Sequence, residues 1–110
     1  MPVQGKKRRS YPSLSSIIDL LRSELPVLQE KYRVREIGIV GSYARGEQTG
    51  ESDLDLVIDF YEPIGWDVVD LKEYLEDLLS LPVDLILKGG VLTRPRLFEA
   101  MTRDVIYVTA

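Results

Sequence analysis

Leu14, Ile17, Ile18, Leu21, Leu25 and Leu28 recur at three- and four-residue intervals, which is the spacing of one helical face. Ser13 is placed to cap the start of this pattern. Pro26 interrupts it, so residues 13–32 read either as one kinked amphipathic helix or as two helices, the second carrying proline in its first turn. Val34 to Val40 is short and rich in β-branched residues, and predicts a buried strand. GSYARGEQTGES then breaks the pattern with three glycines and several small polar residues. From Leu54 to Phe60 the chain alternates. Leu54, Leu56, Ile58 and Phe60 face one way, and Asp53, Asp55, Val57 and Asp59 the other. Pro63 and Gly65 mark a turn, after which Trp66–Leu79 reads as a helix with Val68, Leu71, Leu75 and Leu78 inward and acids outward. Val83–Leu87 is a third strand. Thr93 caps a short helix over Arg94–Met101, and Val105–Val108 is a last strand. The order predicts an α/β fold, a mixed sheet of three to four strands packed against helices. Tyr61, Trp66 and Phe98 lie near turns and read as local core, with cover by a partner as the other reading.

The chain has 110 residues, one domain's worth, and we expect a single domain over 13–110 behind a flexible basic tail at 1–12. That tail holds Lys6, Lys7, Arg8 and Arg9 and no acid; it reads as a solubilising end or as a contact for an acidic partner or RNA. It has no apolar stretch behind its charges, and no run in the chain approaches the roughly 18–20 apolar residues of a membrane span. The expected location is the cytoplasm. The sequence has no cysteine and no histidine. This excludes disulfides, thiolate and imidazole catalysis, Ser-His-Asp triads and ordinary zinc sites. The net charge of −4 is unevenly spread: residues 47–84 hold twelve acids against Lys72 alone. Such a segment repels nucleic acid, so direct nucleic-acid binding is not expected. Any chemistry falls to carboxylates, with a hard metal as their natural partner.

Three features carry that chemistry. Gly41-Ser42 follows a predicted buried strand, where glycine admits a ligand close to the backbone and the hydroxyl and amide groups can donate to phosphate oxygens; a plain strand-to-helix turn would look the same. Asp53 and Asp55 are two apart at the start of a strand, on one face and roughly 6.5–7 Å apart at their Cα atoms. They could share a cation or bridge two, or simply form a solvent-facing edge. Asp84 interrupts the apolar run Val83 to Leu87, a costly place for an unpartnered acid. Beside Leu54–Phe60 it would join the face of Asp53 and Asp55; alternatively it pairs with Arg45 or Arg35. Three neighbouring carboxylates without His or Cys favour magnesium or manganese.

Gly41-Ser42, ten intervening residues, Asp53-Leu54-Asp55 and a later strand aspartate resemble the DNA polymerase β-like nucleotidyltransferase superfamily. GSYARGEQTGESDLDLVI is similar, more narrowly, to the minimal nucleotidyltransferase (MNT) proteins, partners of HEPN toxins, over about residues 14–108. The resemblance implies the small nucleotidyltransferase fold. It implies that Gly41 and Ser42 hold the phosphates of ATP, that Asp53, Asp55 and Asp84 are catalytic and bind two Mg2+ ions (or Mn2+), and that Arg45 touches phosphate or braces the acids. It implies an antitoxin that transfers AMP from ATP onto a hydroxyl, a tyrosine's, of a HEPN ribonuclease toxin. The basic tail and Arg94, Arg96 and Arg103 are candidate docking surfaces. The alternatives are a non-catalytic antitoxin acting by occlusion and a small-molecule nucleotidyltransferase.

Overall fold

The computed structural model describes residues 12–88 and 104–109. Helix α1 spans Leu14–Ser23 and is capped by Ser13, whose hydroxyl accepts the Ser16 amide at 3.1 Å. Pro26 occupies the first turn of a second helix, α2 (Leu25–Tyr32), so the segment restarts rather than kinks. Proline is tolerated there because first-turn amides have no helical acceptor in any case. Arg33 ends α2 in the left-handed conformation, φ +61°, and turns the chain into β1 (Val34–Val40).

One element escapes the periodicity argument. After Gly41 the chain makes a single helical turn, α3 (Ser42–Arg45), too short for any repeat to register. It is anchored by Tyr43, fully buried in the core, and closed by Gly46 at φ +71°. Strand β2 (Leu54–Phe60) follows, then α4 (Asp67–Leu79), β3 (Val83–Leu87) and β4, which is only Ile106–Tyr107, shorter than the four residues expected. The expected helix at 94–101, with Arg94, Arg96 and Phe98, lies outside the described residues, as do Arg103 and the basic tail.

The sheet order is β3-β2-β1-β4. Strand β1 is antiparallel to both β2 and β4, whereas β2 and β3 are parallel, joined through α4. Ile37 and Ile39 of β1 lie opposite Ile58 and Leu56 of β2. With Leu54 they form the sheet's share of the core, packed with Ile17 and Leu21 of α1, Leu25 and Leu28 of α2, and Leu71, Leu75 and Leu79 of α4. Each such buried side chain contributes about 1.5–3 kcal/mol. Because the three helices are fastened by one sheet face, the alternate residues of β2, including Asp55, are turned to the other. Tyr74 of α4 stacks obliquely on Tyr32 of α2 (centroids 5.6 Å) and donates its hydroxyl to Glu24. Burial, then that hydrogen bond, then the carboxylate's charge push the Tyr74 phenol up to about 12.

Trp66 and Tyr61 are not local core. Trp66 is 89% exposed and Tyr61 50%. Both sit in the connection between β2 and α4, where Ile64, with Phe60 at the end of β2, packs on the core instead.

Candidate active site

Strand register builds the site. Asp55 lies opposite Val40, the last residue of β1, and directly beside Asp84 in the parallel pair. Residues in register on parallel strands share a face, and Asp53, two residues before Asp55, shares it too. The expectation that Asp84 joins the other two aspartates therefore holds at the level of strand and face. Among the described residues, no three acidic side chains are gathered round one point as a ready cation cage. Asp53 and Asp84 project into solvent, and Asp55 is half-buried. Burial raises the Asp55 carboxyl above its ordinary range; the charges of Asp84 and then Asp53 add to this, and Arg45 opposes it. The three acids thus feel one another across the strand ends.

Gly41 fits against this group. It sits at φ +78°, ψ −152°, a region almost closed to L side chains. A Cβ built there would collide with Asp55 Oδ2 and lie 3.3 Å from Asp55 Cγ. Glycine is thus required twice, for the backbone conformation and for the space the carboxylate takes up. Ser42 follows immediately and opens α3, its carbonyl accepting the Glu47 amide at 2.8 Å.

The arginines go elsewhere than to Asp84. Arg35 binds Asp59 through Nε and Nη2 at 2.9 and 2.6 Å. Arg45 donates from Nε to Glu47 at 2.9 Å. That hydrogen bond, and then the fields of Asp104 and Asp55 after that of Glu47 itself, raise the guanidinium further. Arg45 thus stands at the rim of the acidic group, held by Glu47 rather than by the aspartates.

The residues most easily missed in the sequence are those shaping the loop before Asp53. The Thr49 amide donates to Ser52 Oγ at 2.8 Å, the Ser52 amide to the Thr49 carbonyl at 3.1 Å, and the Glu51 amide to Thr49 Oγ1 at 3.2 Å. This reciprocal clasp fixes the chain one residue before Asp53. The signal for it is a Thr and a Ser three apart flanking Gly50, residues whose hydroxyls compete for local backbone groups.

Carboxylates on adjoining strand ends thus lie next to a glycine whose missing side chain leaves room for one of them. The nucleotidyltransferase-domain family matches this chain over residues 21–106. Protein adenylyltransferase MntA of Thermococcus cleftensis is 40% identical over 97 residues, covering 87% of this chain and 96% of that protein. A Methanocaldococcus jannaschii protein, provisionally named protein adenylyltransferase MJ0128, is 44% identical over 97 residues, 87% of this chain and 98% of its own. A solved structure, provisionally described as a minimal nucleotidyltransferase, superposes with a TM-score of 0.73 at 33% identity, over 89% of this chain and 98% of that one. A chain of a solved structure described as a mutant of the toxin–antitoxin MntA-HpeT shares the fold at TM-score 0.64 and 20% identity, over 90% of this chain and 74% of that one. The chain belongs to the nucleotidyltransferase family and is an enzyme of that class. Within the family it is of the minimal, MNT type.

Proposed function

We propose that this nucleotidyltransferase moves AMP from ATP to a hydroxyl of a partner protein, a tyrosine of a HEPN-type toxin, and thereby neutralises it. The observation that carries this reading is the abutment of the Gly41–Ser42 corner on Asp55, with Asp84 in register beside it. The names of the relatives, protein adenylyltransferases, and a neighbour described as a tri-AMPylated HEPN toxin in complex with MNT antitoxin support the acceptor class.

The donor set is all carboxylate oxygen, carries mutual repulsion, and has no arginine closing on it among the described residues, which fits Mg2+ or Mn2+. Asp53, Asp55 and Asp84 would hold the ions, which supply acidity to the attacking oxygen and charge neutralisation to the leaving phosphates. The remaining work is done by the chain. Ser42 Oγ and the amides after Gly41 bind phosphate oxygens, and Gly41 keeps the triphosphate close. Arg45 moves from Glu47 to the phosphates, an exchange its exposure permits. Asp84, exposed at the strand end, takes the proton of the acceptor hydroxyl. The acceptor oxygen bonds to the α-phosphorus, the bond from that phosphorus to the bridging oxygen breaks, and pyrophosphate leaves.

Mass spectrometry of the co-expressed partner, incubated with the chain, ATP and Mg2+, tests this. A gain of about 329 Da per nucleotide, the AMP residue itself, is expected. No gain with an intact complex would replace transfer by occlusion, and nucleotide added only to small molecules would replace the acceptor class.

A further inference from the structure

The sheet face that holds the carboxylates carries a row of residues that the transfer chemistry leaves unused. Strand register arranges this face in rows. The first holds Val40, Asp55 and Asp84. The second, two residues further from those strand ends, holds Tyr107, Gly38, Val57 and Ile86. The third holds Glu36 and Asp59, which are engaged by Lys88 at 3.4 Å and Arg35 at 2.6 Å. The second row is thus an apolar strip between the acids and a band of compensated charge.

Tyr107 is the part of this strip that a ligand can reach. Val57 is buried, whereas Tyr107 is 43% exposed. Among the described residues it is the one aromatic that a strand sends to this face, since Phe60 packs on the core. A space is kept for its ring. A Cβ on Gly38 would stand 3.2 and 3.3 Å from Cδ1 and Cε1 of Tyr107, and 2.6 Å from Val105 Cγ2. Gly38 does not have the positive φ of Gly41, so the missing side chain serves here only to give room. The Tyr107 ring lies down over β1, in the direction of β2.

The geometry of transfer directs a nucleoside toward this ring. The attacking and leaving oxygens stand roughly in line through the α-phosphorus. Asp84 is on the β3 side and the Gly41–Ser42 corner on the β1 side, so that line runs across the strands. The ribose oxygen is off the line and points along the strands, either past their ends into water or toward the second row. From strand spacing and rise, Tyr107 and Asp55 are roughly 12 Å apart at their Cα atoms. The Asp55 side chain and the α-phosphate reach in from one end and the phenol ring from the other, which leaves the length of a ribose between them.

We propose that Tyr107 is the seat of the nucleobase, with the base of the bound triphosphate stacked on its ring, and that Gly38 is a positioning residue that lets the ring lie over β1. Such a seat recognises the π-face of a base rather than its hydrogen-bonding edge. The proposal rests on the reading of nucleotide transfer at Asp53, Asp55 and Asp84. Its test needs no acceptor protein, and so stands apart from the choice of acceptor.

Isothermal titration calorimetry of the full chain compares ATP with inorganic tripolyphosphate, which has the charge and no base, each with Mg2+. Tyr107→Ala should weaken ATP about fivefold or more, as loss of a stacking partner does, and leave tripolyphosphate within about twofold. Tyr107→Leu, which keeps an apolar residue in β4, should do the same, and Tyr107→Phe should bind ATP like the parent. Gly38→Ala, which displaces the ring, should also weaken ATP alone. Unchanged ATP affinity in Tyr107→Leu, an equal loss for tripolyphosphate, or failure of Tyr107→Phe to retain ATP overturns the seat. Modification of the partner with an unaltered KM for ATP in Tyr107→Leu would sink the seat and leave the function standing. ATP binding that depends on Tyr107, with no modification of the partner, would do the reverse.

Discussion

Replacing Gly41 by alanine tests the link between backbone and site most directly. The φ of +78° with ψ of −152° lies where a Cβ costs about 1–3 kcal/mol, whatever surrounds it. The collision with Asp55 Oδ2 adds a second cost, of the order seen for overpacking, about 1–3 kcal/mol. At about 4 °C per kcal/mol for a chain of this size, the melting temperature should fall by about 8–24 °C. The two contributions separate in a double-mutant cycle. In an Asp55→Ala background the carboxylate is gone, so Gly41→Ala should cost about 1–3 kcal/mol less, with the backbone strain left over. Urea unfolding of the four proteins measures this. An equal cost in both backgrounds would show that Gly41 and Asp55 do not compete for one space, and the steric basis of the site would be wrong. Transfer activity should fall by about 100-fold or more even where the variant is folded, because a carboxylate displaced by an ångström is misplaced for catalysis.

Asp53→Asn and Asp55→Asn should each abolish AMP transfer; the second should also melt no lower than the parent, since it removes repulsion from Asp84 and Asp53, and differential scanning calorimetry beside the mass assay checks both. Ser52→Ala should cost about 1 kcal/mol for its lost hydrogen bond and reduce transfer through the placement of Asp53, with Ser52→Thr restoring both in the same assays. The Tyr74 phenol, held near 12 against an ordinary 10, contributes stability that is complete below pH 10 and is lost as pH rises toward 12. Unfolding curves at pH 9, 10, 11 and 12 should therefore show a decline that Tyr74→Phe reduces.

Much of this architecture can be read from the letters because two different periods meet in it. The three-four spacing of Ile17, Leu21, Leu25 and Leu28, and the alternation through Leu54, Leu56 and Ile58, each report which residues are buried. The side-by-side placement of Asp55 and Asp84 also follows, once β2 and β3 are taken as neighbours. Turn α3 is shorter than one repeat, so it shows in the glycines and small polar residues after β1 rather than in a period. Two things were not legible. The exposure of Trp66 depends on which side chains fill the end of the core, and hydrophobicity alone assigns the indole inward. The partner of Arg45 is decided by reach within a turn: Glu47 is two residues away and already aligned, whereas the aspartates must be crossed to from the rim.

The parallel pairing of β2 with β3 has a consequence for quality control. A strand displaced by a single residue presents its opposite set of side chains. Were β3 to slip so, Asp84 would be carried through the sheet toward the leucine-lined interior and Leu85 would come out in its place. No such isomer could retain the carboxylate trio, so turnover itself certifies correct strand assembly, and a population with full specific activity is one in which nearly every molecule has closed its sheet in this alignment.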